Sequence, residues 1–470
     1  MENTDQKSLY YLEKAPVSKA IMHMVIPMML SFIATIIYNI TDAFFIGKLD
    51  NTAMMAAVTL ALPFSTFLMA LSNLFGVGSG TYVSRLLGEG NADGAKKVSS
   101  VNFWSSMLTG VIFMAICLPL LTPLLQLLGA SGDTLWYTRD YILIFVIGAP
   151  FIIANFSLGE SVRAEGASTA AMIGMLAGII INILLNPVFI FFLHMGIRGS
   201  ALASVFGNVV SVAWFLYYLQ KKSAVQSVSI KDFKPSKEIY SNIFKVGVSA
   251  FLLDGFMVIT CLLFNNFAVL YGNNVVAGLG IAQRVVQIAD FISMSFAVGA
   301  VPLIAFAYSA KNYMRLMEII KTTTLYMMGI TMGITAILFV LRVQVMGAFS
   351  IDAEVIAIGQ TILVAQLCST IFAGLSALFT GVFQAFGKGV QSSVMSVIRG
   401  IAFIPILFLG NRLFAVNGVI WANTISEALA CIVGLILFLG IWRNSLGNTQ
   451  TMRETITPIT DFKDNVLGSD

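Results

Sequence analysis

Charge is what this sequence has least of: 27 Lys/Arg and 23 Asp/Glu among 470 residues, or 11%, where a soluble domain carries roughly 25%. Hydrophobic residues make up 58% and the mean hydropathy is +0.88. Too few polar side chains are left to cover a water-facing surface, which excludes a soluble globular enzyme. The apolar content equally excludes a disordered chain. Lipid is therefore the expected solvent for most of the protein. Cysteine is scarce too. Cys117, Cys261, Cys368 and Cys431 lie far apart in apolar runs, with no CxxC or Cys/His spacing, and read as packing residues rather than metal ligands. The two histidines, His23 and His194, stand alone near expected helix ends. They read as interfacial, and they cannot supply the His/Asp or Ser/His cluster of a membrane enzyme, so no enzymatic activity is expected. No GxxxxGK[ST] occurs, so ATP does not drive this chain directly. No signal peptide is visible, because the first 19 residues are polar and mixed in charge. A net charge of +4 gives no reason to expect nucleic acid as a partner.

What is present in abundance is long uncharged windows. A spanning helix needs about 20 mostly apolar residues. Gly and Pro punctuation places helices near 18–46, 53–84, 97–123, 135–158, 168–193, 197–219, 240–270, 275–306, 319–343, 354–382, 390–410 and 416–442, twelve in all. The alternating ten-residue segments of a β-barrel are missing. Lys and Arg then set the topology. Counting Lys7, Lys14, Lys19, Arg85, Lys96, Lys97, Arg163, Lys221, Lys222, Lys231, Lys234, Lys237, Lys245, Lys311, Arg315, Lys321, Lys388, Arg443, Arg453 and Lys463, one side holds 20. The other holds five: Lys48, Arg139, Arg198, Arg342 and Arg412. By the positive-inside rule both termini are expected in the cytoplasm of a bacterial cell, with the chain multi-pass in its membrane.

The largest polar interruption falls at the midpoint. It divides the chain into a tail at 1–17, a six-helix lobe at 18–220, a cytoplasmic linker at 221–239, a second lobe at 240–442 and a tail at 443–470. The halves resemble each other. A shift of 221 carries Phe75, Val77 and Gly78 onto Phe296, Val298 and Gly299, and Ala164 and Gly166 onto Ala385 and Gly387. A shift of 219 carries Gly199 and Ala203 onto Gly418 and Ala422. Repeats of the same topology imply two bundles related by an axis along the membrane normal, with substrate in the space they frame.

Several segments carry a family likeness: LYYLEKAPVSKAIMHMVIPMM, LFGVGSGTYVSRLLGEGNADGAKKVSS, VRAEG, NILLNPVFIF and GSALAS in the first half, FKVGVSAFL, VGAVPLIAFAYSAKN, FTGVFQAFGKG and NGVIWANTISEAL in the second. In this order, over about residues 9–445, they resemble the MATE family (multidrug and toxic compound extrusion), and within it a multidrug-exporting branch of Gram-positive bacteria. The resemblance implies a V-shaped pair of six-helix lobes, all α and polytopic, that exports cationic drugs in exchange for H⁺ or Na⁺ without a cofactor. A monomer is expected. The alternative within the same superfamily is a flippase for lipid-linked oligosaccharides, whose cavity would be cationic.

Six charges remain at membrane depth once the loops are removed: Asp42, Asp254, Arg284, Asp290, Arg399 and Glu427. Each costs at least ~2.5–3.5 kcal/mol at the bilayer centre and so needs a partner, water or a function. Four acids against two bases favour cationic cargo. Asp42 follows Tyr38 by one helical turn, so phenol and carboxylate share a face. The residues alone leave it open between proton pick-up and capping a helix end. The resemblance implies the former, since many members carry a coupling Asp in the first helix. Asn182 and Asn186 stand i,i+4 in the fifth helix and could serve a cation and a carboxylate, or simply join helices. Many members have Asp where this chain has Asn186. That departure leaves H⁺ against Na⁺ open, with any Na⁺ expected at Asp42 and no other metal. By the same resemblance Tyr141 and Ser204 line the first-lobe ion site.

In the second half Arg284, Gln287 and Asp290 step by three along one helix. An Arg–Asp pair bridged by Gln287 competes with a role for Asp290 in binding cargo, with cation–π help from aromatics. Asp254 reads equally as a cargo carboxylate or as the partner of Arg284. Arg399 and Glu427 read as a pair holding the second bundle. Most of the 23 Met and 36 Phe face lipid or pack helices, although soft Met side chains suit a promiscuous pocket.

Overall fold

The structure is a computed structural model that describes residues 9–49 and 51–445. Lys7, Arg453 and Lys463 lie outside the described residues, as do the start of the N-terminal tail and most of the C-terminal one. The long helices are α1 (Val17–Gly47), α2 (Thr52–Gly88), α3 (Ala92–Cys117), α4 (Asp133–Ala164), α5 (Ser168–Pro187), α6 (Ile197–Lys221), α7 (Lys237–Val269), α8 (Asn273–Gly299), α9 (Tyr313–Val340), α10 (Ala353–Ala385) and α11 (Gly389–Ile401). A π-turn over Val188–Phe192 extends α5, and Val301–Ser309 extends α8. Short helices at Leu121–Leu127 and Arg342–Phe349 run from α3 to α4 and from α9 to α10.

The last helical stretch, Phe403–Ser445, is interrupted at Ala415, where the backbone turns to φ 49, ψ −131. The apolar run that contains it spans 55 residues, Gly389–Arg443. At 1.5 Å per residue this is far longer than a bilayer is thick. The backbones of Gly410 and Gly418 lie against each other across the break, so the chain doubles back there. Residues 403–414 continue α11, and 416–445 form α12. With that division the described chain crosses twelve times, as expected.

The internal repeat is visible in the backbone. Gly196 (φ 55, ψ −131) opens α6 in the same conformation that Ala415 adopts 219 residues later. Gly166 (φ 88) and Gly387 (φ 66) reverse the chain after α4 and α10, 221 residues apart. Asn91 and Asn312, at the same shift, cap α3 and α9 through their side chains. A left-handed turn is easy for Gly and costly for Ala. The helix break at Ala415 is therefore inherited from the architecture rather than written in local propensity.

Helices α1–α6 pack on one another, as do α7–α12, and the most extensive contact between the two sets is α2 against α7. The largest hydrophobic cluster draws on both lobes: Leu12, Ile21 and Met24 from the N-terminal region, Phe75 and Leu86 from α2, Ile243 from α7, and Phe296, Leu316 and Phe386 from the second half. All lie toward the side that carries the termini. On the other side each lobe has its own cluster, one around Ile142 and Ile153 and one around Leu279 and Leu363. The lobes are thus joined at the terminal side and part toward the far side, which is the V expected.

The segment between α6 and α7 is not slack. Glu165, only 1% exposed, accepts hydrogen bonds from Ser223 Oγ (2.6 Å) and Gln226 Nε2 (3.0 Å). Ser100 Oγ donates to the Ser229 carbonyl (2.7 Å) and Trp104 Nε1 to that of Val228 (3.2 Å). A polar stretch read as a tether between halves is laid onto the first lobe, because side chains of α3 bond its backbone and a buried carboxylate at the end of α4 bonds its side chains. Replacing Glu165 by Ala removes two charge-assisted hydrogen bonds. Tryptic cleavage after Lys231 of the detergent-solubilised protein should speed up by at least about tenfold.

Candidate functional site

The polar residues at depth gather into two groups, one in each lobe, with a third contact between the lobes. In the first lobe α1, α5 and α6 converge near the far side. Asp42 is 7% exposed and sits five residues before the end of α1, which is too deep for a helix cap. Ser200 Oγ donates to Asp42 Oδ1 at 2.6 Å, and Asn186 Nδ2 lies 3.4 Å from the same oxygen. Asn186 Nδ2 also reaches Asn182 Oδ1 (3.0 Å), Asn182 Nδ2 donates to Ser204 Oγ (3.1 Å), and Ser204 shares a hydrogen bond with the Tyr38 hydroxyl (3.0 Å). Tyr141, 5% exposed, stands beside Ser200, Asp42 and Tyr38. All six residues expected at an ion site, Asp42, Tyr38, Asn182, Asn186, Tyr141 and Ser204, come together in one place.

One acceptor in this network is unused. Asn186 Oδ1 is buried with no hydrogen-bond partner among the described residues. An unfilled buried acceptor is costly and invites a proton donor or a cation. Beside a carboxylate that receives only neutral donors, it gives the group a place for one positive charge. A lone acid with amide and hydroxyl oxygens can take up a proton or hold a small cation such as Na⁺.

Ser200 was not anticipated, although it makes the shortest contact to Asp42. A signal existed. Ser200, Ser204 and Asn208 recur every four residues along the otherwise apolar α6, which is a polar stripe. Asn208 extends the network, accepting from Asn155 Nδ2 (2.7 Å) and donating to the Ser204 carbonyl (2.8 Å).

In the second lobe Arg399 grips Glu427 through Nε (3.0 and 3.1 Å) and Nη2 (2.9 Å), and Ser376 Oγ adds a fourth hydrogen bond at 2.6 Å. The pair joins the helices as expected. Asp290 accepts from Thr370 Oγ1 (2.6 Å) instead of from Arg284. Neither pairing considered for Arg284 forms among the described residues. Arg284 lines an apolar crevice with Ile288, Ile334, Leu338 and Phe349 between α8 and α9, and Gln287 bridges no pair among the described residues. The reason is angular: six residues turn a helix through about 600°, which leaves Arg284 and Asp290 about 120° apart, on different faces of α8. Asp254 also finds a partner other than Arg284. Asn73 Nδ2 of α2 donates to its Oδ2 at 2.8 Å, across the boundary between lobes. Flanking that boundary, Phe32 stacks on Phe291 (5.1 Å, 12°) and Phe67 meets Phe251 edge-on (6.0 Å, 75°).

Further charges lie inside helices rather than in loops. Arg85 is within α2 and 8% exposed. Glu160 and Arg163 pair within α4. The helices are longer at the terminal side than charge spacing suggested, because these charges find partners or aromatic cover: Arg85 lies over the Tyr82 ring at 5.4 Å. The four cysteines are free, and Cys117 is buried as a packing residue; Cys261, by contrast, is exposed on the helix surface.

Comparison with known proteins places this arrangement. The sequence pattern of MatE matches residues 27–188 and 252–409. The multidrug export protein MepA of Staphylococcus aureus (strain NCTC 8325) is 39% identical over 431 residues, 92% of this chain and 95% of that protein. MepA of Staphylococcus haemolyticus is 37% identical over 440 residues, 94% and 97% of the two chains. Among solved structures, the outward-facing conformation of a multidrug resistance MATE family transporter of the MOP superfamily superposes with a TM-score of 0.85 at 25% identity, covering 92% of this chain and 97% of that one. A MOP superfamily transporter from Pyrococcus furiosus, described as having reverse polarity of its binding pocket, gives the same TM-score and identity over 93% and 98%.

The Arg399–Glu427 pair makes its own prediction. Arg399→Met leaves a buried carboxylate unpaired, at a cost of about 3–5 kcal/mol. The thermal midpoint in detergent should fall, and adding Glu427→Gln should restore most of it.

Proposed function

This chain belongs to the MatE family, and from that premise we propose that it is a secondary active multidrug exporter, moving amphipathic organic cations out of a bacterial cytoplasm against an inward flow of H⁺ or Na⁺. It is a transporter and not an enzyme, it needs no cofactor, and it works as a monomer with both termini in the cytoplasm. The observation that carries this reading is the Asp42 network: a carboxylate held at membrane depth by neutral donors, with the Asn186 acceptor left open beside it. The relatives named multidrug export protein support the cargo class. The excess of acids over bases at depth supports a cationic cargo over the anionic pyrophosphate of a flippase.

Coupling follows from exchange at Asp42. With a proton or cation bound, the unfilled acceptor and the carboxylate are both satisfied. With the site empty they compete for the same amides. α1 can respond, because Pro27 interrupts its backbone ladder, leaving a weak point for bending. Ion and drug then stabilise different shapes of the first lobe, and by linkage each disfavours the other. In this reading Asp290, Asp254, Gln287 and Arg284 belong to the cargo side, with Asp290 beside the Phe32–Phe291 stack offering charge and π-face together.

Ethidium efflux from vesicles under an imposed pH or Na⁺ gradient tests the proposal. Asp42→Asn should cut gradient-driven efflux at least about tenfold, the usual scale of a lost coupling free energy. Ser200→Ala should cut it less. Wild-type efflux in Asp42→Asn would remove the coupling role. Movement of lipid-linked oligosaccharide in place of ethidium would favour the flippase.

A further inference from the structure

The two lobes touch most closely where α2 meets α7. A Cβ on Gly78 would collide with the Ile243 carbonyl, and one on Gly247 with that of Leu74. The helix backbones are therefore in direct contact, as small residues permit in lipid. Two turns beyond Gly247 on the same helix is Asp254, and the residue before Leu74 is Asn73. The Asn73–Asp254 hydrogen bond thus lies at the edge of the backbone contact, where the lobes begin to part. Both side chains are half-buried, so cargo in the space between lobes can reach them. Asp254 has this one hydrogen bond among the described residues. Three residues before it on α7, Phe251 meets Phe67 of the first lobe edge-on.

We propose that Asn73 and Asp254 form a latch that holds the lobes together at the terminal side, and that cationic cargo releases it by competing with Asn73 for the carboxylate. The cargo half rests on the export reading above; the latch half does not. A carboxylate with a single amide donor binds a cation at the expense of that donor, since the charged partner offers the stronger interaction. Opening the terminal side must separate α2 from α7, and such a separation breaks this bond, as it breaks the Ser105–Tyr240 hydrogen bond between α3 and α7. Cargo at Asp254 would thereby lower the cost of the opening through which the next cargo enters.

Two variants separate the roles. Asn73→Ala removes the latch and keeps the charge. Asp254→Asn removes the charge and keeps a hydrogen bond, because the Asn73 amide can still donate to the carboxamide oxygen. The reporter is a single cysteine replacing Thr81, which is 4% exposed and one turn from Gly78, in purified full-length protein whose four native cysteines are changed to Ala. Without cargo, Asn73→Ala should label with a maleimide about fivefold faster than the parent, the population shift expected from one hydrogen bond. Asn73→Ser should do the same if the Ala variant is poorly folded. Asp254→Asn should label at the parental rate. Saturating ethidium should speed labelling of the parent and leave Asp254→Asn unchanged. Parental labelling in both Asn73 variants overturns the latch. Equal acceleration by ethidium in Asp254→Asn overturns the cargo half. Because the first arm contains no cargo and no gradient, its failure is distinct from a failure of the export reading.

Discussion

Everything in this molecule hangs on the crossing of α2 and α7, where two glycines let the helix backbones of opposite lobes touch. Lipid offers no hydrophobic drive for helices to associate, so close van der Waals approach must supply it. The shared cluster around Ile21, Phe75, Ile243 and Phe296 grows from that contact. Because the cluster is confined to the terminal side, the far halves of the lobes are free to diverge, each around its own core. The cleft is a consequence of where the lobes are joined.

Within this frame the acids at depth divide by the quality of their partners. Glu427 receives three bonds from a guanidinium and one from a hydroxyl. A carboxylate so fully neutralised has little left to offer a mobile ion, and it works as a rivet between α11 and α12. Asp42 receives only neutral donors, one of them long at 3.4 Å, and beside it an amide oxygen goes unused. Asp290 and Asp254 have one neutral donor each among the described residues. Incomplete satisfaction is costly to fold around, and it is what allows a group to gain from binding a cation. The rivet and the three open acids are the same functional group in different company.

Much of this was legible in the residues. The twelve crossings followed from uncharged length and Gly/Pro punctuation. The gathering of Tyr38, Asp42, Asn182 and Asn186 was foreshadowed by i,i+4 spacing, because on a helix that spacing already fixes a shared face. The pairing of Arg399 with Glu427 followed from two charges that could not be left alone in lipid. What failed was pairing by proximity in sequence: Arg284 was close to Asp290 along α8 but faced another way. What was overlooked was polar groups too ordinary to stand out, such as Ser200, Thr370 and Asn73, each of which turns out to hold an acid.

The sequence by itself determined the solvent, the number of crossings, the doubling of the fold and the sites where charge enters the membrane. These depend on composition and on periods of a few residues, which local chain geometry converts directly into structure. Only the tertiary structure decided which donor meets which acid. Asn73 and Asp254 are separated by 181 positions and Asp42 and Ser200 by 158, and no local rule spans such distances. The same holds for the break at Ala415. Its residue type argues for continued helix, and the turn exists because the last helix must reverse to pack against the rest of its lobe.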